Sequence, residues 1–379
     1  MHPIKFRHSL FAIAIVSTFA GSFAGTALAA DGFKVRFPLS GTLGGEIVAQ
    51  VENPGFFVSG SVTQIEIDKI TDGTGNAFQQ TRAGAFATPA PIAGAVRTAS
   101  YAGTIGIDLK QSQTNTNLIL GYQTQKDYGG GHLVFALNLP YTTRLSRETT
   151  YSGTTPTLTP LAPALTSPPL PAGTAATAQA SAQAGFNTAY QAQLSALSNA
   201  GTRAVDGAGD AEVTAAWVYR RDDLKVVTGL TLAMPTGQYD AASQINIGFG
   251  NFYTLRPGVA VAYNPSANWT LGARGSLAFN TRNKDNQIKS GNYGALDLAA
   301  AYRSPIGVFG PHVLIVKQYA DDEGGALGAN RLSSTGAGVF FTTLIPKLEA
   351  AVNLSYMTTL NSRNSLSGSF YQLRISKAF

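Results

Sequence analysis

The chain has no cysteine, which excludes disulfides, thiolate metal sites and a cysteine nucleophile. It is also poor in charge. Only 13% of its 379 residues are Asp, Glu, Lys or Arg, too few for a solvated disordered chain. The formal net charge of +6 becomes 6 − 2 = +4 once Lys5 and Arg7 are set aside with the N-terminal leader, and this gives no reason to read nucleic-acid binding. Beyond the leader, no run approaches the roughly 18 to 20 apolar residues that a spanning helix needs. Glycine is plentiful, with 41 residues, and the mean hydropathy is +0.03. Strands that alternate apolar and polar residues average to such a neutral value, as membrane barrels do.

Alternation is plainest between 251 and 280. Every second residue from Tyr253 gives Tyr253, Leu255, Pro257, Val259, Val261 and Tyr263; after a turn at 264–267 come Trp269, Leu271, Ala273, Gly275, Leu277 and Phe279. The intervening positions are small or polar, so two strands each carry one apolar face. Aromatics end both apolar faces while aliphatic and small residues fill the middle, as at the two edges of a bilayer. A soluble antiparallel barrel or sandwich explains the alternation but leaves both aromatic rings in water.

Residues 1–29 read as a secretory signal peptide, with Lys5 and Arg7 at the basic start, an apolar stretch from Leu10 to Phe19, and Ala27-Leu28-Ala29 as the cleavage site. Residues 30–54 read as a periplasmic N-terminal segment, and 55–379 as the barrel. On the first strand Phe57, Thr63, Ile65 and Ile67 are placed on one face, with Gln64, Glu66 and Asp68 on the lumen side. Residues 77–99 read as a surface loop. A long insert, 143–208, is Pro-rich and then Ala/Gln-rich, with a helix expected around 186–197. It is expected to be extracellular and to serve as a lid.

Connection lengths orient the barrel. Short turns at 220–223, 264–267, 304–307 and 345–347 alternate with long connections at 235–250, 281–291 and 320–332. Membrane barrels keep short turns on the periplasmic side. Thirteen runs result if 101–110 and 118–125 are separate, and bacterial barrels have an even number. Those two therefore merge into one long, bulged strand, giving an all-β, transmembrane antiparallel barrel of about twelve strands. Tyr219, Tyr263, Trp269, Tyr302 and Phe379 form a periplasmic aromatic girdle; Tyr141, Tyr253 and Phe279 lie near the outer ends.

Lumen-facing positions hold the candidate site. Arg256 and Arg274 are expected at nearly equal depth on adjacent strands with Asp297 beside Arg274, either as an internal salt-bridge network or as a permeation constriction. Glu66, Asp210 and Glu212 are expected inward nearer the outer end, and Arg374 lower. Tyr239, Phe249 and Phe252 are expected to offer apolar capture surface at the outer rim. His132 and His312 sit at strand ends without a Ser partner at useful spacing, so no catalytic residue is assigned. The run Asp321-Asp322-Glu323 could hold a divalent cation but reads more simply as solvated. No cofactor or metal is expected.

These segments resemble an outer-membrane barrel family, proteins involved in the meta-pathway of phenol degradation. The likeness is carried by Gly207-Ala208-Gly209-Asp210 leading to Trp217, Met234-Pro235-Thr236-Gly237-Gln238-Tyr239-Asp240, Asn246-Ile247-Gly248, Tyr253-Thr254-Leu255-Arg256-Pro257 and Phe279-Asn280-Thr281. Ser290-Gly291, Asp297 to Tyr302, Asp321-Asp322 and Pro54-Gly55-Phe56 add to it. The insert between Tyr141 and Gly207 is longer than the family pattern. The resemblance implies a bacterial outer-membrane protein that passes small hydrophobic or aromatic compounds. A terminal Phe379 is characteristic of strands read by the barrel-assembly machinery. The expected function is passive uptake across the outer membrane; the alternative is a structural or surface-interaction barrel with a closed lumen. Outer-membrane lipid, a small apolar substrate and the assembly machinery are the expected partners, and nucleic acid is not.

Overall fold

A computed structural model describes Arg36 and residues 54–89, 96–159, 162–163, 172–243, 245–325 and 328–379. The expected leader, and all but Arg36 and Pro54 of the expected periplasmic segment, lie outside the described residues. The strands in chain order are β1 (Gly55–Ile70), β2 (Gln79–Pro89), β3 (Val96–Gln123), β4 (Gly131–Ser152), β5 (Ala162–Pro163), β6 (Arg203–Ala208), β7 (Glu212–Arg221) and β8 (Leu224–Ala233). They continue as β9 (Thr254–Ser266), β10 (Trp269–Asn280), β11 (Tyr293–Ser304), β12 (Gly307–Gln318), β13 (Ser333–Ile345), β14 (Ala350–Arg363) and β15 (Leu366–Ala378). One long helix, α1 (Ala172–Ala200), precedes β6. The chain divides into two compact units.

The larger unit, which holds Arg36, 54–76, 109–147 and 203–379 among the described residues, is the barrel. Starting from β3, the antiparallel order is β3-β1-β15-β14-β13-β12-β11-β10-β9-β8-β7-β4, and a β3–β4 pairing closes the ring at 12 strands. Closure satisfies the backbone of every strand from its neighbours, which lipid requires. Val259, Leu271 and Leu277 are 46%, 48% and 48% exposed, so the apolar face points outward, while Thr254, Arg256, Ala262, Thr270 and Ala278 on alternate positions are buried. Aromatic contacts run along the short-turn end: Trp217 stacks on Tyr219 at 5.7 Å, and Tyr302 meets both Trp269 (5.3 Å) and Phe309 (5.8 Å).

Two expectations about β1 and β3 change. The runs at 101–110 and 118–125 are one strand, as the even count demanded. No bulge interrupts it opposite β1, however, where the register is unbroken from Gly55↔Gln123 to Ile67↔Gln111. On β1 the faces are the reverse of those expected. Ile65 and Ile67 are buried inside, whereas Glu66 and Asp68 share the outward face with Val62. The apolar outer run is Phe56, Val58 and Val62. Above it the strand leaves the lipid level, and polarity follows the rule for a water-facing sheet, apolar in and polar out. Glu66 there accepts from Gln64 Nε2 (2.6 Å) and Ser112 Oγ (2.9 Å) on the outer surface.

The smaller unit holds 77–108 and 148–202 among the described residues. Residues 77–99, read above as a loop, are largely strand: β2 pairs with β3 from Gln79↔Gly106 to Pro89↔Val96. The helix is 29 residues, longer than expected, because Ala and Gln favour it and a stripe of Ala178, Ala182, Phe186, Ala189, Tyr190 and Leu194 is buried along one side. Tyr101 of β3 contacts Phe186 at 4.9 Å and Tyr190 at 6.4 Å, with Ile105 fully buried in the same unit. Gln183 bonds Leu158 N (2.7 Å) and Pro156 O (3.1 Å), tying the extended Pro-rich stretch to the helix.

Candidate functional site

Small inward residues, such as Gly258, Ala260 and Ala262 on β9 and Ala295 and Ala299 on β11, leave room in the lumen for longer side chains. Arg36 is bonded there on several sides. Its Nε donates to Asp210 Oδ2 at 2.9 Å, NH2 donates to Gly250 O at 2.7 Å, and NH1 donates to Phe252 O. The guanidinium carbon lies 4.0 Å from the centre of the Phe252 ring, a cation–π contact. Its own carbonyl accepts from Arg256 NH1 (3.1 Å) and from the Tyr293 hydroxyl.

Asp210 has its remaining acceptor capacity filled by Gly237 N (2.9 Å) and Phe249 N (3.0 Å), and Arg256 pairs with Glu212. Burial of these charges is therefore matched by hydrogen bonds on nearly every side, the condition under which a buried ion pair holds. Gly250 sits at φ +134°, which turns its carbonyl toward Arg36 and leaves no room for a Cβ against Phe252 and Asn283.

A second cluster lies nearer the short turns. Arg274 and Asp297 are directly paired across β10 and β11, as the sequence indicated, with NH2 3.2 Å from Oδ2. His312, fully buried on β12, brings Nδ1 to 4.0 Å from Asp297 Oδ1, and its Nε2 lies 3.3 Å from Tyr356 O. Nε2 is thus the ring nitrogen favoured to carry the proton. Arg374 donates to Gln372 Oε1 (3.1 Å), and Gln372 Nε2 donates to Thr63 Oγ1 (2.9 Å).

The expected layout changes in four respects. Arg256 and Arg274 are not at one depth: Arg274 faces Ala260 and Ser276 faces Gly258, because β9 continues to Ser266 and the register shifts between Trp269 and Leu271. The turn is shorter than 264–267, so Arg256 moves outward and joins Glu212 instead. Glu66 is on the outer surface. Phe252 is buried beneath Arg36 and presents no rim surface, while Phe249 is half-buried with its N–H on Asp210. Tyr239 is half-buried too, its hydroxyl accepting from Asn283 Nδ2 (3.0 Å) and Asn286 Nδ2 (3.3 Å). His132 is half-buried on β4.

The acidic run at 321–323 is spread over separate partners. Asp321 takes Arg331 Nε (2.5 Å), Asp322 takes Gly291 N (2.7 Å) and Gln318 Nε2 (2.5 Å), and Glu323 takes Arg282 and Lys289. It pins loops together.

Arg36 was missed by the sequence reading, and His312, read as a strand-end residue, is buried within β12. Arg36 lies in a stretch without clear alternation, so no periodic signal marked it. His312 follows from alternation on β12, inward beside outward Val313.

A closed ring of strands, greasy outside and threaded by paired charges inside, defines a membrane β-barrel of the outer-membrane type. The chain belongs to the family described as "Putative MetA-pathway of phenol degradation", whose pattern matches residues 97–375. Among solved structures it is similar to the COG4313 outer membrane channel from Pseudomonas putida F1, with 14% identity and a TM-score of 0.58 over 90% of this chain and 100% of that one. Weaker likenesses are to the CymD monoaromatic hydrocarbon channel (11%, TM-score 0.37, 86% and 89% covered) and to a FadL homologue of Pseudomonas aeruginosa (9%, TM-score 0.39, 92% and 100%). No curated protein matches the sequence.

Proposed function

We propose that this chain is an outer-membrane channel for the passive uptake of small hydrophobic or aromatic compounds, and that its resting lumen is latched by Arg36. The observation that carries the reading is the bonding of a residue from the N-terminal segment to three parts of the barrel interior: Asp210, the 250–252 backbone, and Arg256 with Tyr293. A barrel serving only as a wall gains nothing from ionic groups whose burial has to be offset at every atom. A passage that must be shut and opened does, because an ion pair releases into water when Arg36 withdraws. The family membership and the channel named for the Pseudomonas putida relative support the transport class.

Arg274, Asp297 and Arg374 then line the path as fixed polar groups. The alternative, a barrel whose lumen stays closed and whose loops meet partners, is favoured by the same latch if it never opens. Planar-bilayer recording separates the two. The Arg36→Ala variant should show conductance steps that are rare in the wild type, with step size altered by Arg274→Ala. Silence in both variants would leave a permanently closed barrel as the better reading.

A further inference from the structure

Outside the lumen, at the long-loop end of the barrel, β12, β13 and β14 terminate around a recess of about 430 Å³. Lys317, Tyr319, Arg331, Ser333 and Arg363 line it, with Gly73 from the turn after β1. Alternation fixes its face. Phe309, Ile315 and Lys317 are exposed on β12, whereas Leu314, Val316 and Gln318 between and beside them are buried. Lys317 is opposite Ser333 and Ser333 is opposite Arg363, so the three residues form one rung across three strands.

Below that rung Ile315 faces Thr335 and Asn361 across the strands, and Leu360 and Val339 are exposed beside and beneath them. At Lys317 the apolar run stops and Tyr319 stands beside it, the arrangement found where a barrel meets the headgroup level of a bilayer. Charge is unbalanced there. Arg331 shares its Nε with Asp321 at 2.5 Å, while Lys317 and Arg363 make no ion pair among the described residues. Lys317, Arg331 and Arg363 therefore line a concave surface open to the outer leaflet, with Asp321 paired to Arg331 and Asp322 held by Gln318 of the same lining.

We propose that this recess binds a phosphate of a phosphorylated glycolipid of the outer leaflet, with the phosphate between Lys317 and Arg363 and the acyl chains along Ile315, Leu360 and Val339. Arginine and lysine both suit a phosphate, arginine through its planar fork and lysine as a point charge. The position argues for a lipid over a free anion. The cations sit at the upper edge of an apolar strip, so a molecule carrying both phosphate and acyl chains gains from both, and inorganic phosphate gains from one.

The test uses the full barrel purified in detergent and native mass spectrometry with bis-phosphorylated lipid A. Lipid A should associate with the wild type, and the Lys317→Ala/Arg363→Ala double variant should weaken it about tenfold or more. Enzymatically dephosphorylated lipid A should bind the wild type as weakly as intact lipid A binds the double variant. Inorganic phosphate and phosphatidylethanolamine should not displace intact lipid A. The Lys317→Arg/Arg363→Lys exchange should keep binding, and Lys317→Gln alone should give an intermediate loss if the double variant does not fold, as judged by heat-modifiable mobility. Equal binding of lipid A to wild type and to the charge-removed variants would overturn the proposal. So would equal binding of the dephosphorylated lipid, or displacement by inorganic phosphate at comparable concentration.

Discussion

Arg36 and Asp210 show what a single buried pair can govern. Their side chains are 2% and 5% exposed, so removing either leaves the other charged, buried and unmatched. Asp210→Ala should weaken the hold on Arg36 by about 3–5 kcal/mol, the usual cost of breaking a buried pair from one side. In planar bilayers this should appear as open events more frequent than in the wild type; an unchanged open fraction would deny that the pair holds anything shut. A second residue-scale prediction concerns Gly338. A Cβ there would run into the Tyr356 carbonyl and the His312 ring. Gly338→Ala should therefore lower stability by about 1–3 kcal/mol in urea titrations, as overpacking does. At this scale the sequence showed much of the site. The charges of Arg256, Arg274, Asp297, Asp210 and Glu212 could be assigned to the lumen by parity alone. The partner of Arg256 could not, since the shorter turn and the register shift after β9 put Ala260 opposite Arg274 and left Arg256 four residues further out, beside Glu212.

Among elements, β1 shows where pattern reading reaches its limit. Its alternation is clear from Phe56 to Asp68, but alternation does not say which solvent lies outside, and the strand passes from lipid to water between Val62 and Gln64. The faces were reversed for that reason. The pairing of β2 with β3 was hidden because the stretch before 100 is rich in Ala, Gly and Pro, residues that read as loop. The helix α1 was visible in part, and its docking onto Tyr101 was not, since that contact is long-range. Phe186 is fully buried against Tyr101 and Tyr190. Phe186→Ala should cost about 3–5 kcal/mol within the smaller unit, making α1 cleavable by limited proteolysis. Heat-modifiable mobility should remain unchanged, and loss of both would mean that the units do not fold separately.

The outer loops carry a pH dependence of known sign. Hydrogen bonding to Lys289, together with the nearby charge of Lys289 and Arg282, lowers the Glu323 pKa below its ordinary value of 4.5. The pairing is therefore fully present above 4.5 and is lost as pH falls through the depressed value. Asp322 acts oppositely, because burial raises its pKa above 3.8 and it protonates earlier. Amide exchange in 281–292 should quicken on acidification below about pH 4.5 and should do so less in Glu323→Gln, which lacks the titrating group.

For the molecule as a whole, twelve strands, their direction and the side that meets lipid follow from period-two patterning, connection lengths and paired aromatic rings. Lipid imposes closure and evenness, so few alternatives survive. The bonds of Arg36 inside the barrel did not follow, because it lies in a stretch without a period to read. The function proposed for the barrel depends on those bonds. The decisive measurement is the rate at which a small aromatic compound enters asymmetric vesicles, with a glycolipid outer leaflet, that carry wild-type or Arg36→Ala protein. Entry faster than into protein-free vesicles, and faster again for Arg36→Ala, is the result this account requires; entry at the protein-free rate for both would contradict it.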